Sequence, residues 1–133
     1  MALVLLEFFF SLFSSTNIKI NLPGNFLETI FCLMVFLGSS FFEEIIYRKY
    51  LPSALYDFFD ANENAFSFKS VFIELACILL FAFAHRYSGN TAVAFSFFAG
   101  FLLRFLFKKT SFILCPILVH FLYNITTLFF ASR

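Results

Sequence analysis

The chain has 133 residues, 62% of them hydrophobic and only 13% charged, with a mean hydropathy of +0.92. Soluble domains carry about 25% charged residues, so this composition excludes an ordinary soluble domain and points to an integral membrane protein. A net charge of +1 without a basic run excludes a nucleic acid partner.

Met1 to Phe13 is apolar, but it is short, is interrupted by Glu7 and lacks a basic start, so it makes a poor signal peptide. Ser14 to Gly24 is polar, contains Pro23 and is expected to be a loop. Residues 1–25 are therefore taken as an N-terminal apolar segment and loop, either the end of a truncated span or an interfacial helix. The main domain is expected over 26–133. Phe26 to Leu37 is apolar and leads into Gly38-Ser39-Ser40. Ser40 and Glu43 have the spacing of a capping box, so a helix is expected to begin there and run to about Phe59. The alternative is one long helix from Asn25 to Tyr56. Asp57 to Lys69 is polar and loop-like. Helices follow over Phe72 to Ala84, Thr91 to Phe107 and Ser111 to Phe130, separated by turns at Tyr87 to Asn90 and Lys108 to Thr110.

A bilayer span takes about 20 apolar residues, so the pattern predicts an all-α, polytopic membrane bundle of about four to five transmembrane helices. Strands are not expected, because the alternating polarity of a barrel is absent and lipid-exposed backbone must satisfy its own hydrogen bonds. The end carrying Lys69, Lys108 and Lys109 holds more basic residues and is expected to face the cytoplasm. Cys32, Cys77 and Cys115 lie in apolar segments, form no CxxC and are expected to be free thiols. The sequon Asn124-Ile125-Thr126 falls inside an apolar stretch and is taken as accidental.

Few polar side chains remain at membrane depth, and an ionisable group there is a functional candidate by default. Glu44 and Arg48 are four apart, so they share a helix face and can pair. Glu43 points about 100° away from Glu44, and one arginine does not easily serve both. Glu43 is then the carboxylate left for chemistry, unless it is only an acid at a helix start capped by Ser40. His85 ends the run FAFAH, where an interfacial histidine is the ordinary alternative. His120 and Asn124 are four apart and place two polar groups on one face, where the plain alternative is hydrogen-bonding between helices. Arg104 is expected to extend toward the basic turn at Lys108, and Glu74 to lie in the headgroup region at a helix start.

One carboxylate, two histidines and an asparagine make a hydrolytic set. A glutamate beside a histidine can hold and deprotonate water, and histidine and asparagine donors can stabilise an oxyanion. Glu43, His85 and His120 could instead ligate zinc, because two histidines and a glutamate are also a catalytic metal set. The residues by themselves leave both versions open.

EEIIYR matches the EExxxR motif of the CPBP family of intramembrane proteases, which includes the CAAX prenyl endoproteases and is also called the Abi family. FAFAH matches its FxxxH motif and HFLYN its HxxxN motif, in the family's order. RKYLPSAL and KKTSFILCPILVH resemble the family's linking text, so the resemblance spans about Phe36 to Phe130. It implies a helical bundle enclosing a polar catalytic cavity. It implies Glu43 as the base that activates water with help from His85, His120 and Asn124 as the oxyanion site, and Glu44 and Arg48 as supports. It favours a mechanism that requires no cofactor, with zinc on Glu43, His85 and His120 as the alternative. Implied partners are the lipid bilayer and a membrane-embedded, lipidated (CAAX-like) or hydrophobic peptide substrate.

Family members usually have more helices before the first motif, so this chain is expected to be a minimal or truncated version. In that case a second copy or a partner subunit would complete the cavity. The compact size and phenylalanine bias suggest a bacterial inner (plasma) membrane. Two readings of another class fit the residues less well. A non-catalytic immunity or scaffold protein would not need all four of Glu43, His85, His120 and Asn124. A small transporter would more often show matching halves with broken helices, and none are visible.

Overall fold

Asn25 opens the first helix. Its side chain accepts a hydrogen bond from the Glu28 N–H at 2.9 Å, and Glu28 reaches back to the Gly24 N–H at 2.7 Å. The capping box of this chain is thus Asn25–Glu28, not Ser40–Glu43. The structure is a computed structural model that describes residues 23–131. Helix α1 runs over Phe26–Glu44, passes into π turns over Ile45–Tyr50 and continues as α2 over Leu51–Phe58. The chain does not break at Gly38, so of the two expectations the single long helix is the one observed. Ser40 lies inside it, fully buried. Glu43 is therefore not an acid at a helix start. The expected segment Met1 to Phe13 lies outside the described residues.

The π turns have a cause in the sequence. Pro52 has no N–H, and a proline inside a helix disturbs the regular ladder around it. Here the Leu51 N–H bonds to the Ile46 carbonyl, five residues back. Past α2 the backbone turns through Asp60, at a φ of 47°.

Ser67 caps helix α3, Phe68–Ala84, by accepting from the Ser70 N–H at 3.1 Å. A 3-10 turn over Arg86–Ser88 and Gly89, at a φ of 96°, lead into α4, Asn90–Thr110. That φ suits glycine and strains any residue with a Cβ. Ser111 ends α4 in the left-handed region and its N–H bonds to the Phe107 carbonyl at 2.7 Å. Helix α5 covers Leu114–Ala131.

Helix α3 packs on α4, α4 on α5, and α1 on α5. The described residues form an all-α bundle without strands, as the hydropathy pattern predicted. Phe26–Phe58 and Asn90–Thr110 are each long and apolar enough to cross a membrane. The core is small. Tyr56, Ile73 and Cys77 form one buried group, and Ala99 and Leu103 another. Phe26, Leu27, Phe31, Met34 and Phe42 of α1 point outward. Such a face would be a liability in water and suits lipid. The three cysteines are free.

Candidate active site

Three helices bring the motif residues together. Glu43 and Glu44 close α1, His85 follows the last turn of α3, and His120 and Asn124 stand one turn apart on α5. His85, His120 and Asn124 line one cavity of about 280 Å³, walled also by Phe81, Ser96 and Thr127. That volume is near the lower end of ordinary ligand sites, about 300–1,000 Å³. Glu43 joins the set through His85, with Oε2 at 3.7 Å from the His85 Nε2.

The tautomers follow from the partners. His85 Nδ1 lies 2.9 Å from the Phe81 carbonyl. A carbonyl only accepts, so Nδ1 carries a hydrogen, and in the neutral ring Nε2 is left as an acceptor. Glu43 Oε2 is shielded and has no hydrogen-bond partner. Two acceptors therefore converge at 3.7 Å, too far for a direct hydrogen bond and suited to sharing one donor of two hydrogens.

Glu44 behaves differently from its neighbour. Its carboxylate meets Arg48 Nε at 2.9 Å as an ion pair, and Arg48 Nη2 donates to its Oε1 at 3.3 Å. That Oε1 also accepts from His120 Nδ1 at 2.9 Å. All three side chains are buried. The i, i+4 spacing foresaw the Glu44–Arg48 pair. It could not foresee His120, which arrives from 76 residues away. With Nδ1 donating to Glu44, His120 can also donate from Nε2 only as an imidazolium. Asn124 Nδ2 donates to the buried Ser40 hydroxyl at 3.2 Å.

Sequence reasoning missed two parts of this arrangement. Ser40, read as a helix cap, instead orients Asn124. Phe81, the first residue of FAFAH, is the common wall of the site. Its ring lies 4.9 Å from that of His85 and 5.9 Å from that of His120, with the Arg48 guanidinium 4.4 Å from its centre. The phenylalanine of the motif was in view, but its contacts required the fold.

The alternative zinc set does not assemble. Among the described residues no group of three histidine, cysteine or acidic side chains is disposed to hold a metal ion. The donors instead form two separate pairs, Glu43 with His85 and Glu44 with His120. As placed, Glu43, His85 and His120 do not gather around one point as a ligand set.

A second polar group lies elsewhere in the bundle. Arg104 does not extend to the surface but is buried, and Glu74 is its ion-pair partner. Arg104 Nε and Nη2 donate to the two oxygens of Glu74 at 2.6 and 2.8 Å, and Nη2 also reaches Glu63 at 3.0 Å. Lys108 and the Tyr56 hydroxyl complete the shell of Glu74 at 2.6 and 2.9 Å. A charge this deep is more stable paired inside the bundle than stretched toward an interface.

The model of one protein family, Rce1-like, described as type II CAAX prenyl endopeptidase, matches residues 24–126. The chain belongs to this family. No curated protein and no solved structure matches it. As an Rce1-like protein it is a CAAX-type protease, a hydrolase. Family membership and its two long apolar helices make it an integral membrane protein. The matched region contains all three motifs of the Rce1-like chain and, apart from Thr127, every side chain of the site described above.

Proposed function

We propose that the chain is an intramembrane endopeptidase that cleaves a membrane-embedded or lipidated, CAAX-like peptide with water and without a catalytic metal. The observation that carries this reading is the shielded, unpartnered Glu43 Oε2 facing an acceptor nitrogen of His85. A water between them gives one hydrogen to Glu43 and one to His85, which aims its oxygen lone pair at the substrate carbonyl. Glu43 takes the proton as the C–O bond forms. The carbonyl oxygen becomes an oxyanion, held by Asn124 Nδ2 and the His120 imidazolium. Glu44 balances the imidazolium charge, and Arg48 holds Glu44. As the C–N bond breaks, Glu43 returns its proton to the leaving amine, so the base is regenerated.

The cavity wall is largely apolar, which supports a hydrophobic or lipidated substrate over a polar one. A bacterial plasma membrane suits the composition, with the Lys69, Lys108 and Lys109 end on the cytoplasmic side. The test is cleavage of prenylated and membrane-spanning peptides in proteoliposomes by wild type and Glu43→Gln, each with and without a zinc chelator. Glu43→Gln is expected to lose about 10²–10⁴-fold in rate while keeping its melting temperature, and chelation is expected to change nothing. Full activity in Glu43→Gln would remove Glu43 as the base, and loss on chelation would require a metal.

A further inference from the structure

Helix Phe26–Phe58 contains a defect that a side chain of another helix meets. Without an N–H, Pro52 cannot donate to the carbonyl four residues earlier, which belongs to Arg48. Arg104 Nη1, on α4, donates to that carbonyl. The rest of the same guanidinium is fixed on Glu74 and Glu63. Glu74 in turn is tied to Lys108 and Tyr56. One planar fork thus has one arm on a carboxylate and the other on the backbone of the helix that carries the motif EEIIYR.

The position of that backbone matters for the site. Arg48 lies within the π turns Ile45–Tyr50, and its guanidinium holds the carboxylate that holds His120. A π turn rotates everything beyond it relative to a regular helix. We infer that Arg104 is a positioning residue: by holding the Arg48 carbonyl left without its helical donor by Pro52, it fixes the π turns and so the placement of Arg48, Glu44 and His120. This inference rests on the hydrolytic reading above for its effect on rate, but not for its effect on the helix. A buried ion pair that merely joined α3 to α4 would need Glu74 but not the carbonyl.

Arg104→Lys separates the two roles. Lysine keeps the charge opposite Glu74, but it lacks the planar fork that serves two sites together. Arg104→Lys is expected to lower kcat by about 10- to 100-fold, the scale set by an ångström of misplacement, with KM unchanged. Amide exchange over residues 45–54 should quicken, and the imidazole ¹⁵N signal of His120 should move. Pro52→Ala restores the missing N–H. In a Pro52→Ala background the further effect of Arg104→Lys on kcat and exchange should shrink to less than about twofold, because distinct sites would simply add.

Equal losses from Arg104→Lys with either residue at position 52 would overturn the inference. So would unchanged kcat and exchange in Arg104→Lys, or unfolding of Arg104→Lys alike in both backgrounds. If wild type cleaves no peptide, the hydrolytic reading falls, and the exchange and imidazole signals still decide whether Arg104 holds the turn.

Discussion

Two groups of charge lie inside this bundle, and they differ in how fully their polar atoms are occupied. Around Glu74, one oxygen accepts from Tyr56, Arg104 and Lys108 and the other from Arg104. Around Glu43, the buried oxygen has no donor at all. Buried polar groups are nearly always satisfied, so an exception beside His85, a residue of the cavity wall, asks for a reason. A saturated network holds helices in place and has no capacity left for a substrate. An unsatisfied carboxylate beside a histidine has that capacity, and its cost to stability is what a site of chemistry would retain.

This contrast can be broken by exchanging the roles in experiment. Glu74→Ala leaves Arg104 buried beside only the half-exposed Glu63, and is expected to cost about 3–5 kcal/mol of stability. Thermal melting in detergent would show it, and Glu43→Ala measured alongside should melt close to wild type. If Glu43→Ala were as destabilising as Glu74→Ala, the two groups would both be structural. Next in size is Asn124→Ala, expected to reduce kcat about 10²–10³-fold, or about 2.7–4 kcal/mol in transition-state stabilisation. Ser40→Ala should lose less, because Ser40 only orients the amide. Peptide cleavage by the two variants under one set of conditions gives the order, and a larger loss in Ser40→Ala would move the polar role from Asn124 to Ser40.

Much of the site was legible because its motifs are local. The spacing of Glu44 and Arg48 places them on one helix face, and the spacing of His120 and Asn124 does the same, so periodicity was enough. What periodicity could not supply was which faces meet. The contact of His120 with Glu44 closes 76 residues of chain, and that of Arg104 with the Arg48 carbonyl closes 56. Arg104 was misplaced for a related reason. An arginine four residues from Lys108 near a helix end looks like a surface group, and only the position of Glu74 on the adjacent helix makes burial the lower-energy choice. The capping box was displaced because Ser40–Glu43 and Asn25–Glu28 share one spacing, and Asn25 follows a proline-containing turn while Ser40 continues an apolar run. Residue chemistry named the candidates, and long-range packing decides which of them meet.

The smallest expected effect tests whether Phe81 belongs to the site or only to the core. Gly100 on α4 faces this ring, and an added Cβ would lie 3.0 Å from Phe81 Cδ1 and 3.5 Å from Ile78 Cγ2. Gly100→Ala should gain about 1 kcal/mol from helix propensity and lose about 1–3 kcal/mol from overpacking. The net is a loss of about 0–2 kcal/mol, so stability should hold level or fall modestly. The ring has little room to yield, because Tyr47, His85, His120 and the Arg48 guanidinium surround it. A shift of a few tenths of an ångström therefore passes to both histidines. Gly100→Ala should lower kcat by about three- to tenfold, a fraction of the loss that a full ångström of misplacement brings. Unchanged kcat with reduced stability would make Phe81 a packing residue. Reduced kcat at unchanged stability would mean that the aromatic residue of FAFAH holds the two histidines at their working separation.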